Sequence, residues 1–172
     1  LALPAANENL GTATKSANQT TMSFTKSGKT KNNTGEFLVV SAQGFGFRFP
    51  LSNLSETTRT GRKIMSLKND DSMIGFAPVT HSHVFLATVK GKAVVISTDQ
   101  ITQLTGSGKG VILMKPGESH LAGFKLVNLK DKVTLVFDSE DEKEITVKSV
   151  RLCNRGSQGV IISKRKTILK IK

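Results

Sequence analysis

The sequence has few of the residues that would place it in several large protein classes. It contains no tryptophan and no tyrosine, and all nine of its aromatic residues are phenylalanine. Its single cysteine, Cys153, excludes an internal disulfide, so nothing favours an oxidising compartment. No apolar run approaches the roughly 18 residues of a membrane-spanning helix. The opening stretch LALPAANENL also lacks the basic and apolar regions of a signal peptide. We therefore expect a cytoplasmic protein.

The charge, by contrast, is strongly one-sided. Twenty-five Lys and Arg residues oppose 13 Asp and Glu residues, which gives a formal net charge of +12 and a pI near 10.0. Such an excess favours an acidic polymer as partner, nucleic acid first and an anionic membrane surface second. A basic protein without an acidic partner is the alternative that composition leaves open.

The stretch 105–114, TGSGKGVILM, places three glycines and a lysine before an apolar run. A phosphate-binding P-loop requires G-x-x-x-x-G-K-[ST]. Here Gln103 stands at the first glycine position, and Gly110 rather than Ser or Thr follows Lys109. The three histidines and Cys153 form no metal-ligand pattern with carboxylates. We expect no nucleotide, metal or other cofactor, and no catalytic constellation.

Hairpin-like blocks follow one another from Glu36 onward. Each block has two apolar runs around a short turn: FLVVSAQGFGFRFP (37–50), VFLATVKGKAVVIS (84–97) and TLVFDSEDEKEITV (134–147). Gly44 and Gly91 lie 47 residues apart, as do Gly61 and Gly108. The chain therefore carries a repeat of about 47 residues.

This period predicts the fold. A repeat of forty-odd residues that contains about four strands and no helical periodicity is typical of a propeller-like array. In such an array each unit buries one face against the next unit. We predict an all-β open or incomplete arc of three to four blades, preceded by a linker or partial edge blade at 1–35. The blades are predicted to occupy 36–172, in repeats near 37–80, 84–127 and 133–172. Gly44, Gly91 and Gly108 are predicted to take turn conformations with positive φ.

Three stretches resemble one known family: FLVVSAQGFGFRFPLSNL (37–54), TRTGRKIMSL (58–67) and GKAVVISTDQITQLTGSGKGVILM (91–114). Their order and spacing are similar to the C-terminal DNA-binding domain of bacterial type IIA topoisomerase A subunits, the topoisomerase IV A and DNA gyrase A family. The resemblance implies a β-pinwheel, whose blades exchange strands and whose basic rim binds and bends duplex DNA. The gyrase box Gln-Arg-Arg-Gly-Gly-Lys-Gly has no match in the first blade. The subtype therefore stays open between topoisomerase IV and gyrase.

The resemblance also implies how the chain acts. Type IIA topoisomerases cut DNA with a tyrosine, and this sequence has none, so we expect no catalysis here but a place in an ATP-dependent topoisomerase. The implied partners are duplex DNA, the remainder of the A subunit and the ATPase B subunit, in the nucleoid-associated cytoplasm. The alternative is a blade-repeat domain that binds protein or RNA and whose basic charge is incidental.

Basic residues beside glycines in turns and loops are the candidate phosphate contacts. Glycine lets backbone N–H groups approach a phosphate, while Lys or Arg neutralises its charge. We further expect Arg62, Lys109 and Arg155 to occupy comparable loops on one arc, with Lys109 directed to a phosphate at the outer rim. The predicted DNA-binding residues are Arg48, Arg59, Arg62, Lys63, Lys90, Lys92, Lys109, Arg151 and Arg155.

Overall fold

The computed structural model describes residues 35–54, 59–68 and 70–172, all within the unit 33–172. Their regular secondary structure consists of eleven β-strands and three short 3-10 helices, and these described ranges contain no α-helix. The all-β prediction is thereby confirmed. The predicted linker or partial edge blade at 1–35 lies outside the described residues except for Gly35.

The strands fall into three sets along the chain, which we call blade 1 (36–78), blade 2 (83–127) and blade 3 (132–171). In each blade two strands form a hairpin, a 3-10 helix and a long loop follow, and another strand returns. The 3-10 helices are Leu51–Leu54, Thr98–Gln100 and Val147–Ser149. The strands are β1 (Glu36–Ser41), β2 (Phe45–Pro50), β3 (Met73–Pro78), β4 (His83–Thr88), β5 (Lys92–Ser97), β6 (Val111–Ile112), β7 (Leu121–Val127), β8 (Lys132–Phe137), β9 (Glu142–Thr146), β10 (Val160–Ile161) and β11 (Ile168–Ile171).

The sheets are built by strand exchange between consecutive blades. Strand β6 belongs to blade 2 along the chain but pairs with β2, so the first sheet has the order β3-β1-β2-β6. Strand β10 of blade 3 likewise completes the second sheet, whose order is β10-β5-β4-β7. The third sheet has the order β11-β8-β9. Every strand pair is antiparallel. The strand exchange that a β-pinwheel implies is therefore present.

The middle sheet is buried on both faces. Successive side chains of a strand point to opposite faces, and in β4 Val84 and Leu86 join the core between blades 1 and 2. Phe85 and Ala87 join the core between blades 2 and 3, and all four side chains are 0% exposed. A sheet covered on both sides requires a continuous apolar run rather than alternation. This explains why the hairpin of blade 2 reads VFLA and AVVI.

Each hairpin turn contains one residue with positive φ, the left-handed backbone conformation. Gly44 and Gly91 have φ of 83° and 78°, as predicted. In blade 3 the same position is held by Glu140, with φ of 60°. The equivalence extends to hydrogen bonding, since each of the three N–H groups donates to the carbonyl three residues earlier at 3.0 Å.

The prediction for Gly108 is wrong, because its φ is not positive. Gly110 turns the chain instead, with φ of 78°, and shares this conformation with Gly61 (80°) and Gly159 (74°) at intervals of 49 residues. A Cβ on Gly159 would lie 2.5 Å from the carbonyl oxygen of Ala93, and one on Gly110 would overlap the equivalent carbonyl of blade 1. Gly110 and Gly159 therefore mark where a loop crosses the preceding blade. By its spacing and φ, Gly61 corresponds to Gly110 rather than to Gly108.

Candidate nucleic-acid interface

The chain before each exchanged strand lies on the preceding blade. We call these segments the exchange loops, residues 105–109 of blade 2 and 154–158 of blade 3. Asn53 Nδ2 donates to the carbonyl oxygen of Thr105 at 2.7 Å, and one blade later Gln100 Oε1 accepts from the backbone N–H of Arg155 at 2.8 Å. Side chains from two successive 3-10 helices thus hold the two loops, Asn53 as a donor and Gln100 as an acceptor.

Arg62 and Lys63 lie at the boundary of blades 1 and 2. They line a shallow cleft together with residues 105–107 of the glycine-rich exchange loop. Both residues are exposed, and Arg62 Nη1 donates to the carbonyl oxygen of Asn53. Arg59 is exposed nearby in the chain. The structure therefore brings two of the predicted basic residues together beside an exchange loop.

Arg151 and Arg155 lie at the boundary of blades 2 and 3. They line a cleft of about 690 Å³ with Gln100 and the chain from Leu152 to Val160, and no lining residue is acidic. Both arginines are exposed. Gly156, with φ of 79°, turns the exchange loop inside this cleft. Two guanidinium groups thus share an open site with no competing carboxylate on its walls.

Lys90 and Lys92 flank the hairpin turn of blade 2, where a loop of blade 3 reaches them. The N–H groups of Ile162 and Ser163 both donate to the carbonyl oxygen of Gly91, at 2.8 and 3.1 Å. The exposed Lys164 and Arg165 follow this contact in the chain and line a cleft with Asp141 and Glu142 of blade 3. Lys90 is exposed, whereas Lys92 is half-buried. The sequence analysis did not select Lys164 and Arg165, although the run KRK at 164–166 signals them.

Arg48 is bonded inside the molecule. Its guanidinium forms a 2.9 Å ion pair with Glu36, and its Nε donates to the carbonyl oxygen of Ile101 at 2.9 Å. Its side chain is only 20% exposed. The ion pair with Glu36 lies within blade 1, whereas the bond to Ile101 crosses to blade 2, so Arg48 links the two blades.

The side chain of Lys109 also contacts another residue of the protein. Its ammonium nitrogen lies 3.8 Å from the centroid of the Phe45 ring, a cation–π contact worth about 0.5–1 kcal/mol at exposed sites. Lys109 belongs to the same kind of loop as Arg155, but with the 49-residue interval its counterpart is Gln158. Arg62 corresponds in turn to Val111. The three residues predicted for one arc thus occupy three different positions within the repeat.

The described ranges were compared with the requirements of a metal site and of a membrane-spanning helix. In the described ranges, no three His, Cys, Asp or Glu side chains gather closely enough to hold a metal ion. No helix in the described part of the chain has the length and apolarity needed to cross a membrane.

Comparison with known proteins identifies related chains. A sequence model of the family "DNA gyrase C-terminal domain, beta-propeller" matches residues 35–80, 82–137 and 145–168. The DNA gyrase A protein of Lawsonia intracellularis (strain PHE/MN1-00) is 28% identical over 130 residues, which cover 73% of this chain and 16% of that protein.

Solved structures share the fold. The C-terminal domain of DNA topoisomerase IV superposes with a TM-score of 0.74 at 20% identity, over 82% of this chain and 47% of that chain. A DNA gyrase A C-terminal domain gives 0.73 at 16% identity, over 81% and 50%. The E. coli ParC C-terminal domain gives 0.68 at 16% identity, over 83% and 61%. The chain spans about half the length of the first two structures. The resemblance seen in the sequence is confirmed, and the chain belongs to the family of DNA gyrase C-terminal domains.

Proposed function

We propose that this chain is a non-catalytic module that binds and bends duplex DNA within a type IIA DNA topoisomerase A subunit. The observation that carries the proposal is the cleft in which Arg151 and Arg155 face no acidic lining residue. The formal net charge of +12 supports it, because such a charge attracts a polyanion.

The chemistry of this cleft suits a phosphate. Guanidinium groups offer paired N–H donors that match phosphate oxygens. The N–H groups of Arg155 and Gly156 are already bonded to Gln100 and Leu113, so the two arginine side chains supply the phosphate donors. The described residues contain no helix that could enter the major groove to read bases. Binding is therefore proposed to be largely independent of sequence.

The predicted DNA-binding residues differ in their structural surroundings, and we propose a different role for each group. Arg151 and Arg155 form the proposed centre, and Arg62 and Lys63, which occupy other positions of the repeat, form a second proposed contact one blade earlier. Arg48 is proposed as a positioning residue, because both of its bonds lie inside the protein. The remaining proposed contacts flank these centres: Arg59, Lys90, Lys92 and Lys109.

Repetition of the exchange loops supports bending. A duplex that touches the clefts of successive blades in turn gains phosphate contacts at each one. Smooth bending of a 20–30 base-pair site by 40–90° costs on the order of 1–6 kcal/mol, which such contacts can offset. Fluorescence energy transfer between the ends of a labelled duplex should therefore rise when the protein binds. A duplex that binds with unchanged end-to-end distance would remove bending from the proposal.

The binding site is tested by charge reversal, with a control variant of the same net charge. We compare Arg151→Glu/Arg155→Glu with Lys130→Glu/Lys170→Glu, which changes two exposed lysines outside the cleft by the same charge. Counterion release contributes about tenfold in affinity per phosphate contact at ~0.1 M salt, so the cleft variant should bind duplex DNA about 100-fold more weakly. Equal losses in both variants would mean that net charge, and not this cleft, binds the DNA.

The wider assignment is also part of the proposal. We infer that the module acts with the rest of the A subunit and with an ATPase B subunit at the bacterial nucleoid. The chain alone should leave the linking number of a supercoiled plasmid unchanged, with or without ATP. Strand passage by the chain alone would contradict the assignment.

A further inference from the structure

The backbone on either side of Arg155 is fixed by main-chain hydrogen bonds. Before it, the N–H group of Cys153 donates to the carbonyl oxygen of Val95 at 2.9 Å. After it, the N–H group of Gly156 donates to the carbonyl oxygen of Leu113 at 2.7 Å. Both acceptors belong to blade 2, so the exchange loop of blade 3 runs between two fixed points on its neighbour.

Between these two points a side chain, and not a backbone group, holds the loop. Gln100 Oε1 accepts from the backbone N–H of Arg155 at 2.8 Å, and Gln100 Nε2 donates to Asn154 Oδ1 at 3.3 Å. Because a backbone N–H can only donate, the first bond fixes which end of the amide carries the oxygen. Gln100 is half-buried, and its amide binds two consecutive residues of the loop.

Blade 1 has an amide at the same place in its own 3-10 helix. Asn53 lies 47 residues before Gln100, and both are the third residue of their helices. Asn53 Nδ2 donates to the carbonyl oxygen of Thr105 at 2.7 Å, at the start of the exchange loop of blade 2. The third position of this helix therefore holds an exchange loop in two successive blades.

The neutrality of the Gln100 side chain suits the cleft that it lines. It shares this cleft with Arg151 and Arg155, and no lining residue is acidic. A carboxylate at position 100 could accept the same N–H bond, but it would also pair with a guanidinium group and compete with a phosphate. An amide provides the acceptor without the charge. Gln100 can therefore hold the loop and leave the arginines to an anionic ligand.

We propose that Gln100 is a positioning residue for DNA binding, which holds Arg155 in the conformation that meets a phosphate. The inference rests on the proposed function, since it takes the ligand of this cleft to be DNA. Gln100 acts through the backbone of Arg155 and makes no phosphate contact of its own. A loop that is ordered in the free protein avoids the entropy cost of becoming ordered when the duplex binds.

The proposal is tested by fluorescence anisotropy with a labelled duplex over a range of salt concentrations. Gln100→Met removes both bonds without adding a charge, and it should weaken binding about fivefold, the cost of ordering about one backbone residue. The salt slope should stay that of the wild type, because both guanidinium groups still reach their phosphates. Gln103→Met makes the same change at an exposed position outside the cleft and should bind like the wild type.

Gln100→Glu separates the hydrogen bond from the charge. This variant keeps an acceptor for the Arg155 N–H, so amide exchange at Arg155 should stay as slow as in the wild type, whereas Gln100→Met should speed it. Binding of the duplex should nevertheless weaken. Here the salt slope should flatten by about one unit, because the new carboxylate replaces one phosphate at a guanidinium group.

Combination with Arg155→Ala decides whether Gln100 acts through Arg155. Arg155→Ala alone should weaken binding about tenfold, and adding Gln100→Met should then change the affinity by less than about twofold, because no guanidinium is left to position. An equal loss from Gln100→Met with and without Arg155, or wild-type affinity in Gln100→Met alone, would overturn the proposal and leave the DNA-binding cleft in place. If Arg155→Ala binds like the wild type, the cleft itself is refuted, and the positioning role with it.

Discussion

Replacement of Gly91 with alanine tests the contact between blades 2 and 3 at a single atom. Gly91 has φ of 78°, and an added Cβ would overlap the carbonyl oxygen of Ser163 in blade 3. A left-handed backbone costs an L-residue about 1–2 kcal/mol. The Gly91 carbonyl also accepts from Ile162 and Ser163 at 2.8 and 3.1 Å, and displacement of that loop weakens bonds worth about 1 kcal/mol each. The expected loss of unfolding free energy is about 2–4 kcal/mol.

Gly117 provides the control for backbone conformation alone. Its φ is 69°, and within the described part of the chain no heavy atom lies within 4 Å of its Cβ position. Gly117→Ala should therefore cost only the conformational term, about 1–2 kcal/mol. Urea unfolding followed by circular dichroism gives both values, provided that the slope m is unchanged. Equal losses in the two variants would refute the claim that Gly91 is required by contact with the next blade.

Three other changes test separate contacts. Arg48→Met should cost about 1–3 kcal/mol in urea unfolding, because it leaves the half-buried Glu36 without its partner, whereas Arg59→Met should stay within about 0.5 kcal/mol. Gln100→Ala should cost about 0.5–1.5 kcal/mol and speed amide exchange at Arg155, which an unchanged exchange rate would contradict. Asp141→Asn should be less stable than the wild type at neutral pH. The difference should vanish as pH falls through the lowered pKa of Asp141, since that carboxylate stabilises the fold only when ionised.

The hairpins could be predicted from the sequence because their signals are local. A turn glycine between two apolar runs specifies strand, turn and strand within about a dozen residues, and Gly44 and Gly91 behave accordingly. The exchange pairing joins Phe45 to Ile112 across the blade boundary. No local pattern encodes such a pairing, and the resemblance to a known family supplied it instead.

Errors in the sequence analysis arose where tertiary packing decides the conformation. Two glycines, Gly108 and Gly110, compete for one turn, and only the second lies against the carbonyl of the preceding blade. Residue type indicated that arginines and lysines cluster in the loops, but not that Arg48 is bonded to Glu36 and Ile101. Such partners lie 12 and 53 residues away and depend on the register of the sheets.

The salt dependence of duplex binding tests the central claim most directly. If roughly 4 to 6 phosphates are contacted, the logarithm of the wild-type binding constant should fall against the logarithm of salt concentration with a slope of about −4 to −5. Arg151→Glu/Arg155→Glu should flatten that slope by about two units, one for each lost phosphate contact, and Lys130→Glu/Lys170→Glu should leave it unchanged. A wild-type slope near zero, or equal flattening in both variants, would contradict the account of a DNA-binding module that holds phosphates in its exchange-loop clefts.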